Sequence, residues 1–153
     1  DAYGDGIYSG NGTTSTDLEV TVLDSIEFDD GTLFIDAVDH RIGVNEDKPT
    51  SILHANGSVA YAVDNFTATS TNSYDMEVDN HILMVNTNNS SAVINLPAAN
   101  TCTGRVYQFI KRNGANSMIF NLNIRLNTGG TASTFTSTRL KIISDGADWV
   151  NMD

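Results

Sequence analysis

The sequence predicts an all-β protein, and three observations carry that prediction. Asn-Gly and Asp-Gly pairs punctuate the chain at 11–12, 30–31, 56–57, 113–114 and 145–146; these pairs favour the positive φ angles of tight turns. Between them lie short runs of alternating or apolar residues, the pattern of strands. Long helical patterns are absent, and apolar runs such as "ILMV" at 82–85 fall far short of the ~20 residues that a membrane-spanning helix needs.

In order, the expected strands of the first half are "LEVTVL" (18–23), "SIEF" (25–28), "LFID" (33–36), "RIGV" (41–44), "SILHA" (51–55) and "SVAYAV" (58–63). Within "LFID", Leu33 and Ile35 point one way and Phe34 and Asp36 the other, and after a polar turn Ile42 and Val44 again share a face. Pro49 marks a loop, because it has no N–H to give to a sheet ladder. The second half is more apolar: "HILMVN" (81–86), "AVINL" (92–96), "RVYQFIK" (105–111), "SMIFNLNI" (117–124), "RLKIIS" (139–144) and "DWVNM" (148–152). Asn113-Gly114 is expected to join two of these as a hairpin, and Asp145-Gly146 the last two. The polar stretch "TATSTNS" (67–73) separates the halves, which gives an acidic β shaft-like region at 1–69 and a compact β-sandwich or barrel-like head at 70–153.

Charge divides the chain in the same way. Residues 1–80 hold 16 acidic side chains against Arg41 and Lys48, a balance of −14, and residues 81–153 hold 3 against 6 bases, a balance of +3. The acidic half repels phosphates and argues against nucleic-acid binding. Cys102 is the one cysteine, so neither an intrachain disulfide nor a multi-cysteine zinc site can form. The chain opens at Asp1 without an apolar signal region, and reads as a piece of something longer or as a processed product.

Six strands of four to six residues bury little each. At roughly 25 cal/mol per Å² the first half scarcely offsets its own ordering entropy, so stacking on copies of itself is the expected remedy, with packing of the first half against the second as the alternative.

Motifs for chemistry are sparse. There is no Gly-x-Ser-x-Gly elbow, phosphate loop or His-Glu-x-x-His helix. Ser51 and His54 lie close on one strand without a third partner, and Glu27, Asp29 and Asp30 are close carboxylates of the kind a crowded acidic segment yields by chance. His40, His54 and His81 are surface or core histidines unless symmetry brings copies together, and Asp1 and Asp5 are potential oxygen ligands for calcium. No catalytic residue, metal or cofactor is assigned.

The segment 31–59 resembles a recurring shaft module of bacteriophage tail fibres, through Asp36, Asp39, Arg41-Ile42-Gly43-Val44, Pro49, Leu53 and Asn56-Gly57. Residues 73–152 are similar to compact β modules near the ends of such fibres, through Leu96-Pro97-Ala98-Ala99, Gly104-Arg105, Lys111, Ser144-Asp145-Gly146 and Trp149. The resemblance implies an interwound parallel homotrimer whose slender shaft leads into a broader head, carried on the virion outside the host. It further implies attachment to a host surface receptor, a glycan above all, without catalysis, membrane insertion or nucleic acid. Two features of such fibres are missing, a self-cleaving chaperone module and His-x-His repeats. Sugar contacts normally combine an aromatic with amides and charges, which selects Tyr107, Arg112, Asn113 and Asn116 around the loop 111–117, with Trp149 assigned to the core. The rival readings are a monomeric bacterial adhesin or carbohydrate-binding β-sandwich, and a fragment of a glycan-cleaving tailspike.

Overall fold

The computed structural model describes residues 25–29 and 32–153. The chain divides into two compact units, Asp1–Val59 and Ala60–Asp153. The expected strand at 18–23 and the turns at 11–12 and 30–31 lie outside the described residues.

In the first unit, β1 (Ser25–Phe28), β2 (Leu33–Asp36), β3 (Arg41–Val44) and β4 (Leu53–Ala55) form a sheet in that order. β1–β2 and β2–β3 are antiparallel, whereas β3–β4 is parallel. A parallel return normally takes a dozen residues or more; here residues 45–52 suffice, because the chain folds tightly over Gly43. A Cβ at that position would stand 1.9 Å from the carbonyl oxygen of Glu46, so only glycine admits the loop. Arg41 Nη1 donates to the Pro49 carbonyl at 2.9 Å and pairs with Asp39 at 3.1 Å. Asp36 Oδ1 accepts from the backbone N–H groups of Val38 and Asp39, each at 2.9 Å, and so shapes the turn between β2 and β3.

The second unit begins at Ala60 rather than at residue 70. The reason is β5 (Val63–Thr67), which precedes the polar stretch and pairs in parallel with β7 (Ile82–Asn86). The other strands are β6 (Ser73–Asp75), β8 (Ala92–Asn95), β9 (Val106–Asn113), β10 (Met118–Arg125), β11 (Thr131–Phe135), β12 (Arg139–Ser144) and β13 (Trp149–Asn151). They make one nearly closed, barrel-like sheet in the order β5-β7-β9-β12-β13-β10-β8-β6, with β11 on β10. From β5 to β10 the chain alternates between two parallel blocks, β5-β7-β9 and β6-β8-β10. Asn113-Gly114 therefore forms no hairpin: β9 and β10 belong to different blocks and share no ladder. Asp145-Gly146 does join an antiparallel pair, β12–β13.

Between β5 and β6 the sheet is open in its backbone and closed by side chains. Asn80 Nδ2 donates to Asp64 of β5 at 2.8 Å and lies 3.4 Å from the Tyr74 hydroxyl of β6, while Phe66 packs on Tyr74. Burial, and then the Asp64 carboxylate, push the Tyr74 phenol above its ordinary value. The core holds Trp149, Tyr107, Phe109, Leu83, Ile94, Met118, Ile124, Leu140 and Ile142, all fully buried. Its walls are tied by the segments singled out in the sequence: Trp149 Nε1 donates to the Pro97 carbonyl at 2.9 Å and Ser144 Oγ to that of Ala99 at 2.7 Å. Among the described residues no helix is long and apolar enough to cross a membrane.

Candidate functional site

Two places stand out, one in each unit. In the first, strand register sorts the side chains. The pairs Ile26–Ile35, Phe28–Leu33, Ile35–Ile42, Leu33–Val44, Ile42–Leu53 and Val44–Ala55 put eight apolar residues on one side, since partners across a ladder share a face. The opposite side carries Glu27, Asp36, Arg41 and His54 among others. None of the eight is buried: Phe28, Ile42, Val44 and Leu53 are 52, 39, 40 and 64% exposed. Of the described residues up to Val59, only Gly43 and Pro49 are buried. The first unit is an amphipathic sheet without a core of its own among its described residues.

In the second unit the residues expected to make contacts separate into two kinds. Tyr107 is a correction, being fully buried and stacked on Trp149 with ring centroids 5.1 Å apart. Its hydroxyl donates to the Glu77 carbonyl at 2.9 Å, and burial pushes its phenol up, partly offset by donation from Arg105. A residue on an inward-facing position of β9 cannot meet a ligand outside the barrel. Asn116 is exposed, but its Nδ2 donates to the Thr87 carbonyl at 2.7 Å, so it pins the 113–117 loop to the β7–β8 turn. Gly114 (φ 94) lets that loop pass, since a Cβ there would lie 2.3 Å from the Thr87 carbonyl carbon.

Arg112 and Asn113 do line a groove, of about 220 Å³, together with Asn65, Thr67, Met84 and Asn86. Alternation brings these residues to the outer face: Asn65 pairs with Met84 and Thr67 with Asn86 across β5–β7, and Asn86 with Asn113 across β7–β9. The β7–β9 register slips between Val85–Lys111 and Asn86–Asn113, which makes Arg112 an extra residue in β9. Bulges are rare in parallel pairs and re-aim side chains where they occur. Asn65, Thr67, Met84 and Asn86 were not picked out from the sequence. The outward polar alternation in "VDNFT" was visible, but the long-range β5–β7–β9 pairing was not.

A larger concavity of about 600 Å³ is lined by small residues such as Ala98, Ala99 and Ala147 together with Asn100, Asn123, Asp148 and Trp149. Its one charged lining residue, Asp148, already faces Arg125 at 3.9 Å.

The remaining candidates do not converge. Ser51 Oγ donates to the Leu53 carbonyl at 2.7 Å, whereas His54 Nδ1 accepts from Thr50 N–H at 3.4 Å. His81 stacks on Tyr61 at 4.2 Å, and His40 is exposed with φ 55. Asp29 Oδ2 accepts from Thr32; Asp30, Asp1 and Asp5 lie outside the described residues. Among the described residues no three His, Cys, Asp or Glu side chains form a metal-sized group. No family model, curated protein or solved structure matches the chain.

Proposed function

We propose that the chain is a non-enzymatic attachment protein of a bacteriophage fibre, in which three parallel copies bury the apolar face of the first unit against one another and present the second unit to a host surface glycan. The observation that carries this reading is the uncovered face itself. Fully burying a Val, Leu, Ile or Phe side chain is worth about 1.5–3 kcal/mol, and roughly half of that remains to be gained at Phe28, Ile42, Val44 and Leu53. Over these four residues in each of three copies that gain amounts to about 9–18 kcal/mol. The resemblance of residues 31–59 to fibre shaft modules supports the same reading. Asp36, Arg41, Gly43 and Pro49, which carry that resemblance, also fix the turns of this sheet. Three weak sites on one stalk gain avidity without new contacts.

The second unit favours another reading, since the buried apolar cluster of the described residues, from Phe66 to Trp149, lies within it. Such a core needs no sister chains, as expected of a monomeric adhesin or carbohydrate-binding module. Binding of labelled chain to a panel of intact bacteria separates the two. The fibre reading expects saturable attachment that falls by about 10²-fold or more when Ile42→Asp removes avidity. Equal attachment by the variant, or none across the panel, contradicts it.

A further inference from the structure

We infer that the groove between β5, β7 and β9 binds a single carboxylate-bearing sugar unit, with Arg112 holding the carboxylate and the side chains of Asn65, Thr67, Asn86 and Asn113 reading the hydroxyls. The inference rests on the attachment reading above and names the chemistry of the ligand.

Charge selects the carboxylate. The chain carries a net charge of −11, yet among the described residues the groove is lined by one guanidinium and no acidic side chain. The nearest acid in sequence on β5, Asp64, alternates to the other face and is engaged by Asn80. Among the described residues Arg112 has no carboxylate partner, whereas Arg41 has one and Arg125 two. The planar fork of a guanidinium matches a carboxylate bidentately, which a lysine ammonium cannot do. Lys111, one residue earlier, is in any case committed to the Asn116 and Thr136 carbonyls at 3.2 and 2.7 Å. The bulge is what directs the next residue over the groove instead of along the ladder.

Amides select hydroxyls. Each Asn side chain offers two donors and an acceptor, and a sugar hydroxyl both donates and accepts. Three such amides and one threonine hydroxyl line the groove beside the half-buried, apolar Met84. Among the described residues only the Asn86 amide of these three is engaged, through its Oδ1, which accepts from Asn88 N–H at 3.1 Å. Size selects a single unit: at about 220 Å³ the groove is below the ~300–1,000 Å³ of pockets that enclose drug-sized ligands.

The test uses the full chain with glucuronic acid, glucose and sodium acetate as probes, followed by amide chemical shifts. Glucuronic acid is expected to shift the Asn65, Asn86 and Asn113 signals saturably, and glucose and acetate each to bind at least tenfold more weakly. Arg112→Gln is expected to weaken glucuronic acid at least tenfold and to leave glucose unchanged; Arg139→Gln, on the neighbouring strand and outside the groove, is expected to change neither. Absence of saturable shifts at the groove overturns the proposal, as does glucose or acetate binding as tightly as glucuronic acid, or full binding by Arg112→Gln. The groove lies within one chain, so mass measured on the same sample separates the two readings. A trimer that binds nothing sinks the sugar site alone, and a monomer that binds glucuronic acid sinks the fibre alone.

Discussion

The carbonyl oxygen of Glu46 occupies the space that a Cβ on residue 43 would fill, 1.9 Å from its ideal position. This approach sets the short parallel return from β3 to β4, and with it places Leu53 and Ala55 beside Ile42 and Val44 on the apolar face.

Gly43→Ala is therefore expected to open the 45–52 loop. The clash is with backbone, which cannot rotate away, and overpacking of this kind costs about 1–3 kcal/mol. Hydrogen exchange reads the effect directly. The amides of Ile42 and Asn56, which donate to Ile52 and Val44 carbonyls, should lose protection while those of the barrel core keep theirs. Unchanged protection at both amides would contradict the account.

Thr87→Val tests the anchoring of the loop that presents Arg112 and Asn113. Thr87 is fully buried, and its Oγ1 lies 3.0 Å from the Asn113 carbonyl and 3.1 Å from that of Asn116. Both carbonyls keep another donor, Thr87 N–H and Lys111 Nζ, so the expected loss is about 1 kcal/mol, at the low end for a buried hydrogen bond. In a domain of this size that corresponds to a Tm lower by about 4–8 °C. A Tm equal to that of the wild type would show that the hydroxyl is dispensable.

Acid should loosen the β12–β13 turn. The carboxyl of Asp145 is held below its ordinary value of 3.8, first by the backbone N–H groups of Asp148 and Ala147 and then by Arg125. A depressed folded pKa means that the unfolded chain takes up the proton first on acidification. The contribution is complete above the ordinary value and is lost as pH falls through the folded one. Carboxyl carbon shifts should place the Asp145 titration below 3.8, and Asp145→Ala should flatten the stability profile in that window. Titration at or above 3.8 would contradict the geometry.

Many of the strand positions were legible in the residues. β1, β2 and β3 coincide with "SIEF", "LFID" and "RIGV", because tight-turn pairs and period-two alternation are local signals. β5, β6 and β11 were missed and "SVAYAV" yields only its last residue to a strand. "VDNFT", "SYD" and "TASTF" are polar or short, and their strand state comes from partners distant in sequence. The Asn113-Gly114 hairpin failed for the same reason. A turn sequence permits a reversal but does not decide whether the next strand pairs with the previous one or crosses to a parallel block. At the candidate site, the identities of Arg112 and Asn113 were readable from a polar loop, but the inward phase of Tyr107 depended on the register of β9 against β12.

The central claim is that the apolar face of the first unit is shared among copies of the chain, and mass in solution tests it most directly. Light scattering on the purified chain is expected to give about three times 16.5 kDa, falling to a single copy when Ile42→Asp and Leu53→Asp place charges in the middle of that face. A wild-type mass of one copy at every concentration, with the first unit folded, would contradict it.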